Sequence, residues 1–254
     1  MDFEPAFQKC SELAAAEENL EHTFENFRDR QDLYHFLAPV GDQLSEPDHE
    51  ALNISSKIDH DLTAQYLKVP KPYKGYGDRS KWVACDKVDS RHIMMSTIIF
   101  SKINPKHIIE IGGGFGNWVR LNHEMPWHHW TIIDLPFVSK LQQWYIKPHR
   151  SGVEFIDTDH YQEWVQHGAW NCEDPIDLVI GAHSLAELSW EHFDNYMHQT
   201  VIKSKYFFYA AHKTLPDPEL LATKMKEIIK YFKPIKIVES ENGMVMNCLF
   251  ERKA

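Results

Sequence analysis

The chain reads as an alternating α/β fold: five strand–helix units closed by an antiparallel pair. That gives a seven-stranded sheet with helices on both faces, preceded by a helical N-terminal extension. Three observations carry the reading. Short apolar runs at 107–111, 130–134, 153–157, 176–181 and 205–211 are separated by helical patterns. A run at 236–240, the turn Glu241-Asn242-Gly243 and a second run at 244–250 form a hairpin signal. The first strand also runs straight into a glycine loop, the order of elements found at α/β ligand sites.

Upstream of the sheet the pattern is helical. Phe7, Cys10, Leu13, Glu17, Leu20, Phe24 and Phe27 recur at spacings of three and four, and their apolar members form a stripe facing a core or a partner. Ala38-Pro39-Val40-Gly41 ends this stretch, and a second helix, capped by Asp48 or Asn53, runs to Leu67. Residues 69–80 are a loop rich in proline and glycine, placed either to cover a pocket or to link. From Lys87 to Ile103 the pattern is again helical, with Ile93, Met94, Ile98 and Ile99 on the apolar side, and Asn104-Pro105 leads into the first strand.

Composition narrows the class. With 254 residues, 43% of them hydrophobic and 13% aromatic, the chain can build a large core. A net charge of −10 disfavours a phosphate-rich partner such as nucleic acid. Cys10, Cys85, Cys172 and Cys248 are scattered with no Cys-x-x-Cys pair, which suggests a reducing, cytoplasmic compartment and no zinc site. No apolar run reaches membrane length. Histidine is abundant, but His123, His128 and His129 lack metal-ligand spacing.

The sharpest signal is Glu110-Ile111-Gly112-Gly113-Gly114-Phe115-Gly116. Glycines let the backbone turn sharply and let a ligand approach it. Asp134 closes the second apolar run about 20 residues later, where an α/β nucleotide site needs an acceptor for ribose hydroxyls. Together they indicate an adenosine-type cofactor. A dinucleotide fingerprint would want glycine where Asn117 stands, and Glu110 would repel a pyrophosphate. S-adenosylmethionine has no phosphate and carries an ammonium group and a sulfonium, so a carboxylate at the end of the first strand is welcome.

With these residues the chain resembles a class I S-adenosylmethionine-dependent methyltransferase over roughly residues 90–254, which implies a Rossmann-like sheet. More narrowly, the segments at 110–116, 131–136 and 177–189 resemble the sugar O-methyltransferase family. The patterning divides the chain into a helical extension at 1–70, a lid or linker with a leading helix at 71–104, and an expected cofactor-binding catalytic domain at 105–254. The resemblance implies roles. Gly112, Gly113, Gly114, Phe115 and Gly116 would shape the loop round the methionine part, with Glu110 near its amino group. Asp134 would bind the ribose, with Leu135 by the adenine. Asp157, Thr158 and Asp159 would supply the contact to the adenine amine, Asp157 and Asp159 being left as alternatives. Gly181 and Ala182 would line the cofactor edge.

Ligands in open α/β sheets bind beyond the carboxyl ends of the strands, which places His183 there, after the fourth strand. Methyl transfer to a sugar hydroxyl needs the acceptor oxygen aligned with the methyl group and its proton removed; a histidine suits that base role near neutral pH. Glu187, four residues on, would orient His183 or bind substrate. His212, after the fifth strand, is the alternative base or a substrate contact. Tyr73, Tyr76, Arg79, Trp82 and Arg91 are acceptor candidates if the 69–80 loop closes. Catalysis is expected without a metal. The competing readings are a methyltransferase for small molecules or proteins, and a cofactor-binding interaction module of a larger glycan-assembly protein. An NAD-dependent oxidoreductase ranks last.

Overall fold

The computed structural model describes residues 12, 24–29, 44–77, 79–146, 152–167, 175–214 and 217–254. The stripe from Phe7 to Leu20 and the helix end expected at 38–41 lie outside them. The chain divides into two units: Met1–Thr97, Gly113–Met125 and Asp134–Ser151 form one, and Ile98–Gly112, Pro126–Ile133 and Gly152–Ala254 form the other.

The second unit holds the sheet. Its strands are β1 (His107–Ile111), β2 (His129–Asp134), β3 (Val153–Asp157), β4 (Leu178–Ala182), β5 (Tyr206–His212), β6 (Phe232–Ser240) and β7 (Val245–Arg252). They lie in the order β3-β2-β1-β4-β5-β7-β6. β1 pairs in parallel with both β2 and β4, β4 in parallel with β5, and β7 antiparallel with β5 and β6. The mixed seven-stranded sheet expected from the alternation is therefore present. Ile109, Ile111, Ile133, Val179, Phe207 and Tyr209 share one core cluster with Leu185, Phe193, Met197 and Ile228. The alternate positions Ile108, Trp130, Ile132, Leu178, Ile180 and Phe208 are equally buried. Both faces are covered, which is why these strands read as continuous apolar runs.

The hairpin differs from expectation in length. β6 begins at Phe232, four residues before the apolar run, and takes in Pro234 at a register irregularity. It is an edge strand, where a sheet tolerates proline. The turn is as expected: Glu241, Asn242 and Gly243 all have positive φ, at 54°, 57° and 81°.

In the first unit the helix expected to run to Leu67 is two helices, α1 (Glu46–Ile58) and α2 (His60–Tyr66). Neither Asp48 nor Asn53 is the cap. Ser45 is, with the Asp48 carboxylate reaching back to the Ser45 N–H at 2.9 Å, a capping box. Asp59 is extended and breaks the run, and its side chain accepts from Leu62 N–H at 3.0 Å to start α2. Helix α3 (Lys87–Phe100) begins at Asp86, whose carboxylate accepts from the N–H groups of Val88 and Asp89, both at 2.9 Å.

Buried charges organise this unit. Arg28 bonds Asp86 at 3.0 Å, Lys71 bonds Asp86 at 2.5 Å and Asp89 at 2.9 Å, and Arg120 pairs with Asp89. The Arg28 guanidinium also lies 4.3 Å from the Phe115 ring centre and 4.8 Å from that of Tyr76. Removing one partner of a buried pair leaves the other charge uncompensated, so Arg28→Met is expected to destabilise the protein by about 3 kcal/mol. A shift of the urea midpoint without a change of slope checks this.

Candidate functional site

The switch in strand order falls at β1, which lies between β2 and β4. In open α/β sheets the ligand crevice opens there, at the carboxyl ends of the strands. β1 ends in Glu110-Ile111 and then Gly112, whose N–H continues the ladder to Ile133 C=O at 2.8 Å. Glu110 is buried and accepts a hydrogen bond from the Trp130 indole at 3.0 Å. Trp130 precedes Asp134 on β2, and nothing in its spacing advertised this task.

Gly112 and Gly114 have φ of +74° and +55°, a region that favours glycine. Their surroundings differ. A Cβ on Gly112 would come within 2.3 Å of Ser184 Cβ, whereas a Cβ on Gly114 would meet nothing within 4 Å. Gly112 therefore serves close packing between the ends of β1 and β4. Gly114 is the loop glycine that faces open space. Phe115 turns inward, 2% exposed, against Phe27 and Tyr145. Its side chain anchors the loop and does not line an open site.

Asp134 holds this loop. Its carboxylate accepts from Leu135 N–H and from the Gln142 amide, both at 2.8 Å, with the Gly114 and Gly113 N–H groups also contributing. Gln142, on helix α4 (Pro136–Ile146), also donates to Gly114 C=O at 2.8 Å. Burial pushes the Asp134 carboxyl up to about 7, against the pull of these donors. Gln142 lies eight residues past Asp134 and was not legible as a site residue.

Beyond β3, Asp157 is already engaged: its carboxylate accepts from His160 N–H at 3.1 Å and pairs with the imidazole at 2.6 Å, which raises the His160 pKa. Thr158 is half-buried and Asp159 is exposed.

The end of β4 carries the most distorted backbone in this region. His183 has φ 64° and ψ −47°, a conformation that costs a Cβ-bearing residue about 1–3 kcal/mol. Neighbours enforce it. His183 N–H donates to Ala210 C=O at 2.9 Å, Glu187 N–H closes the turn on His183 C=O at 3.1 Å, and Ser184 Oγ donates to Ile111 C=O. Gly181 lacks the Cβ that would strike Leu185 at 2.4 Å; Ala182 beside it is half-buried. The imidazoles of His183 and His212 stack with centres 4.8 Å apart, so the topology brings these two predicted residues together. Glu187 ends the one-turn helix α5 (Ser184–Glu187). The residue is exposed by area, yet crowding raises its carboxyl pKa against the pull of Lys224.

The other acceptor candidates separate. Tyr73 is 53% exposed, its ring tilted against Trp82 with centres 4.5 Å apart, and Arg79 is exposed. Tyr76 is a correction to the lid reading: it is buried, and its hydroxyl accepts from Arg28 at 2.9 Å. Arg91 pairs with Asp48 at 3.8 Å. Among the described residues, no three His, Cys, Asp or Glu side chains form a metal-ligand group, and no helix is long and apolar enough to cross a membrane.

No family model matches the chain, and no curated protein matches it in sequence. Among solved structures it is similar to the N-methyltransferase NodS from Bradyrhizobium japonicum WM9, in complex with S-adenosyl-L-homocysteine. The TM-score is 0.51 at 14% identity, over 65% of this chain and 86% of that one. It is also similar to protein 1320 of Thermoplasma acidophilum (TM-score 0.49, 10% identity, 78% and 98% covered) and to the methyltransferase domain of bacterial CtHen1-CN (0.47, 12%, 62% and 96%). The first of these likenesses shows the fold: the Rossmann-like sheet of class I methyltransferases.

Proposed function

We propose that this chain is an S-adenosylmethionine-dependent O-methyltransferase acting on a sugar hydroxyl, with His183 as general base and no metal. The observation that carries the reading is His183 itself, a histidine held in a glycine-like conformation at the switch-point end of β4. Such strain marks a place where the side chain matters more than local stability.

Within each unit taken by itself, the groups present suit the cofactor. Gly114 leaves open space at a positive φ, and Asp134 offers a carboxylate to ribose hydroxyls next to Leu135. The buried Glu110 offers negative charge to an ammonium group. Asp157 or Asp159, with Thr158 between them, takes the adenine amine; Asp157 also accepts from His160 through Oδ1. NodS, with the same fold, holds S-adenosyl-L-homocysteine. When bound, S-adenosylmethionine would supply an electrophilic methyl group. The residues of the chain do the rest: His183 takes the hydroxyl proton as the oxygen attacks, His212 stacks on the ring and fixes its plane, and Glu187 binds a neighbouring hydroxyl. Tyr73 and Arg79 are the exposed acceptor contacts in their segment.

The test is a calorimetric titration with S-adenosylhomocysteine in chelator, with NAD as control, followed by a mass screen of sugar acceptors for gain of a methyl group. Micromolar binding and a methylated sugar are the expected results. Binding of NAD in place of S-adenosylhomocysteine would overturn the reading.

A further inference from the structure

Helix α6 (Pro218–Tyr231) contributes Lys224, which is 0% exposed. Its ammonium donates to three main-chain carbonyls: Leu185 at 3.1 Å, Ala186 at 2.8 Å and Leu188 at 2.5 Å. An ammonium has three N–H donors, and here each has an oxygen. The stem passes the Phe193 ring, with the nitrogen 5.5 Å from its centre. Burial lowers the Lys224 pKa to about 8, while Glu187 and Asp217 pull it upward.

The three oxygens belong to α5 and the residue just after it. A one-turn helix cannot satisfy its own C-terminal carbonyls, and a cation is favoured at that end. The other end of the turn is the strained His183, tied to Ala210, while Ser184 is tied to Ile111. Two strand ends hold the start of the turn, and Lys224 holds its finish.

We propose that Lys224 is a positioning residue for His183 and Glu187: by gathering the carbonyls of Leu185, Ala186 and Leu188 it keeps the turn after β4 in the conformation that presents both side chains. The proposal rests on the reading of His183 as the base. Lys224 reaches the reaction only through main-chain oxygens.

The experiment compares Lys224→Met, Lys224→Arg and Lys224→Ala with the wild type. It reads amide hydrogen exchange at His183 and Glu187, S-adenosylhomocysteine affinity, and turnover of the acceptor found by mass. In Lys224→Met, exchange at those two amides is expected to rise about tenfold relative to β1 and β5. Cofactor affinity should hold, and kcat should fall with KM for S-adenosylmethionine unchanged. Lys224→Arg keeps the charge with the wrong geometry and should recover part of kcat. If Lys224→Met does not fold, Lys224→Ala is read with and without ethylammonium, which restores a cation to the vacated channel; recovery of amide protection supports the proposal. Unchanged protection at 183–188 with wild-type kcat overturns it, as does no response of Lys224→Ala to the amine. A wild-type protein that binds no S-adenosylhomocysteine would defeat the methyltransferase reading, while the exchange arm would still decide whether Lys224 holds the turn.

Discussion

Replacing Asp134 by alanine is expected to weaken S-adenosylhomocysteine binding by about 100- to 1,000-fold in calorimetry. Two effects add. A carboxylate accepting from ribose hydroxyls makes charge-assisted hydrogen bonds worth about 1.5–3 kcal/mol each. The same carboxylate, with Gln142, holds the glycine loop through Leu135 N–H and the Gly113 and Gly114 N–H groups, so its loss frees the loop that must receive the ligand. Gln142→Leu separates the two effects: it keeps the ribose acceptor and removes the side-chain bond to the loop, so it should give a smaller loss. Equal losses in the two variants would mean that Asp134 acts on the loop alone.

Asp134 also predicts a pH dependence whose sign is fixed. Burial raises its carboxyl to about 7, so the free folded protein holds a proton that the unfolded chain has released. For a raised acid, the contribution to stability is fully present below the unfolded value and is lost as pH rises toward the folded one. Ligand binding runs the other way, because ribose hydroxyls donate to the anion. Affinity should therefore rise with pH up to neutrality, by at most about tenfold per unit, with protons released on binding. Titrations in buffers of different ionisation enthalpy measure that release; absence of proton release at pH 6 would remove Asp134 from the ribose site.

What the sequence made legible follows from the range of each interaction. Strand periodicity, the glycine loop and the Glu241-Asn242-Gly243 turn are local, so the sheet could be read with strand ends shifted by a residue or two, except at β6, which starts four residues early. Asp134 and His183 were readable because they stand at the ends of apolar runs. Trp130, Gln142 and Lys224 were not, since an indole on Glu110, an amide bridging two loops and an ammonium nearly 40 residues from its carbonyls arise only in three dimensions. Tyr76 shows the opposite failure. Composition left its segment as either a lid or a linker, but Arg28, Lys71, Asp86 and Asp89 set Tyr76 in a buried charge network that no local pattern announces. The break at Asp59 was missed because a helical apolar spacing continues across a residue that caps two helices at once.

His183→Ala is expected to lower kcat by about 10²- to 10⁴-fold, the range for loss of a general base, with S-adenosylhomocysteine affinity unchanged. Strain supplies an independent check. His183 sits at φ 64°, where glycine has no Cβ to resist, so His183→Gly should be more stable than His183→Ala by about 1 kcal/mol. Both variants should be equally inactive. That combination, a glycine that stabilises and still abolishes turnover, would show that the imidazole is kept in this position for its chemistry. If His183→Ala retains most turnover, the base moves to His212, whose ring lies against it at 4.8 Å, and His212→Ala would then show the loss instead.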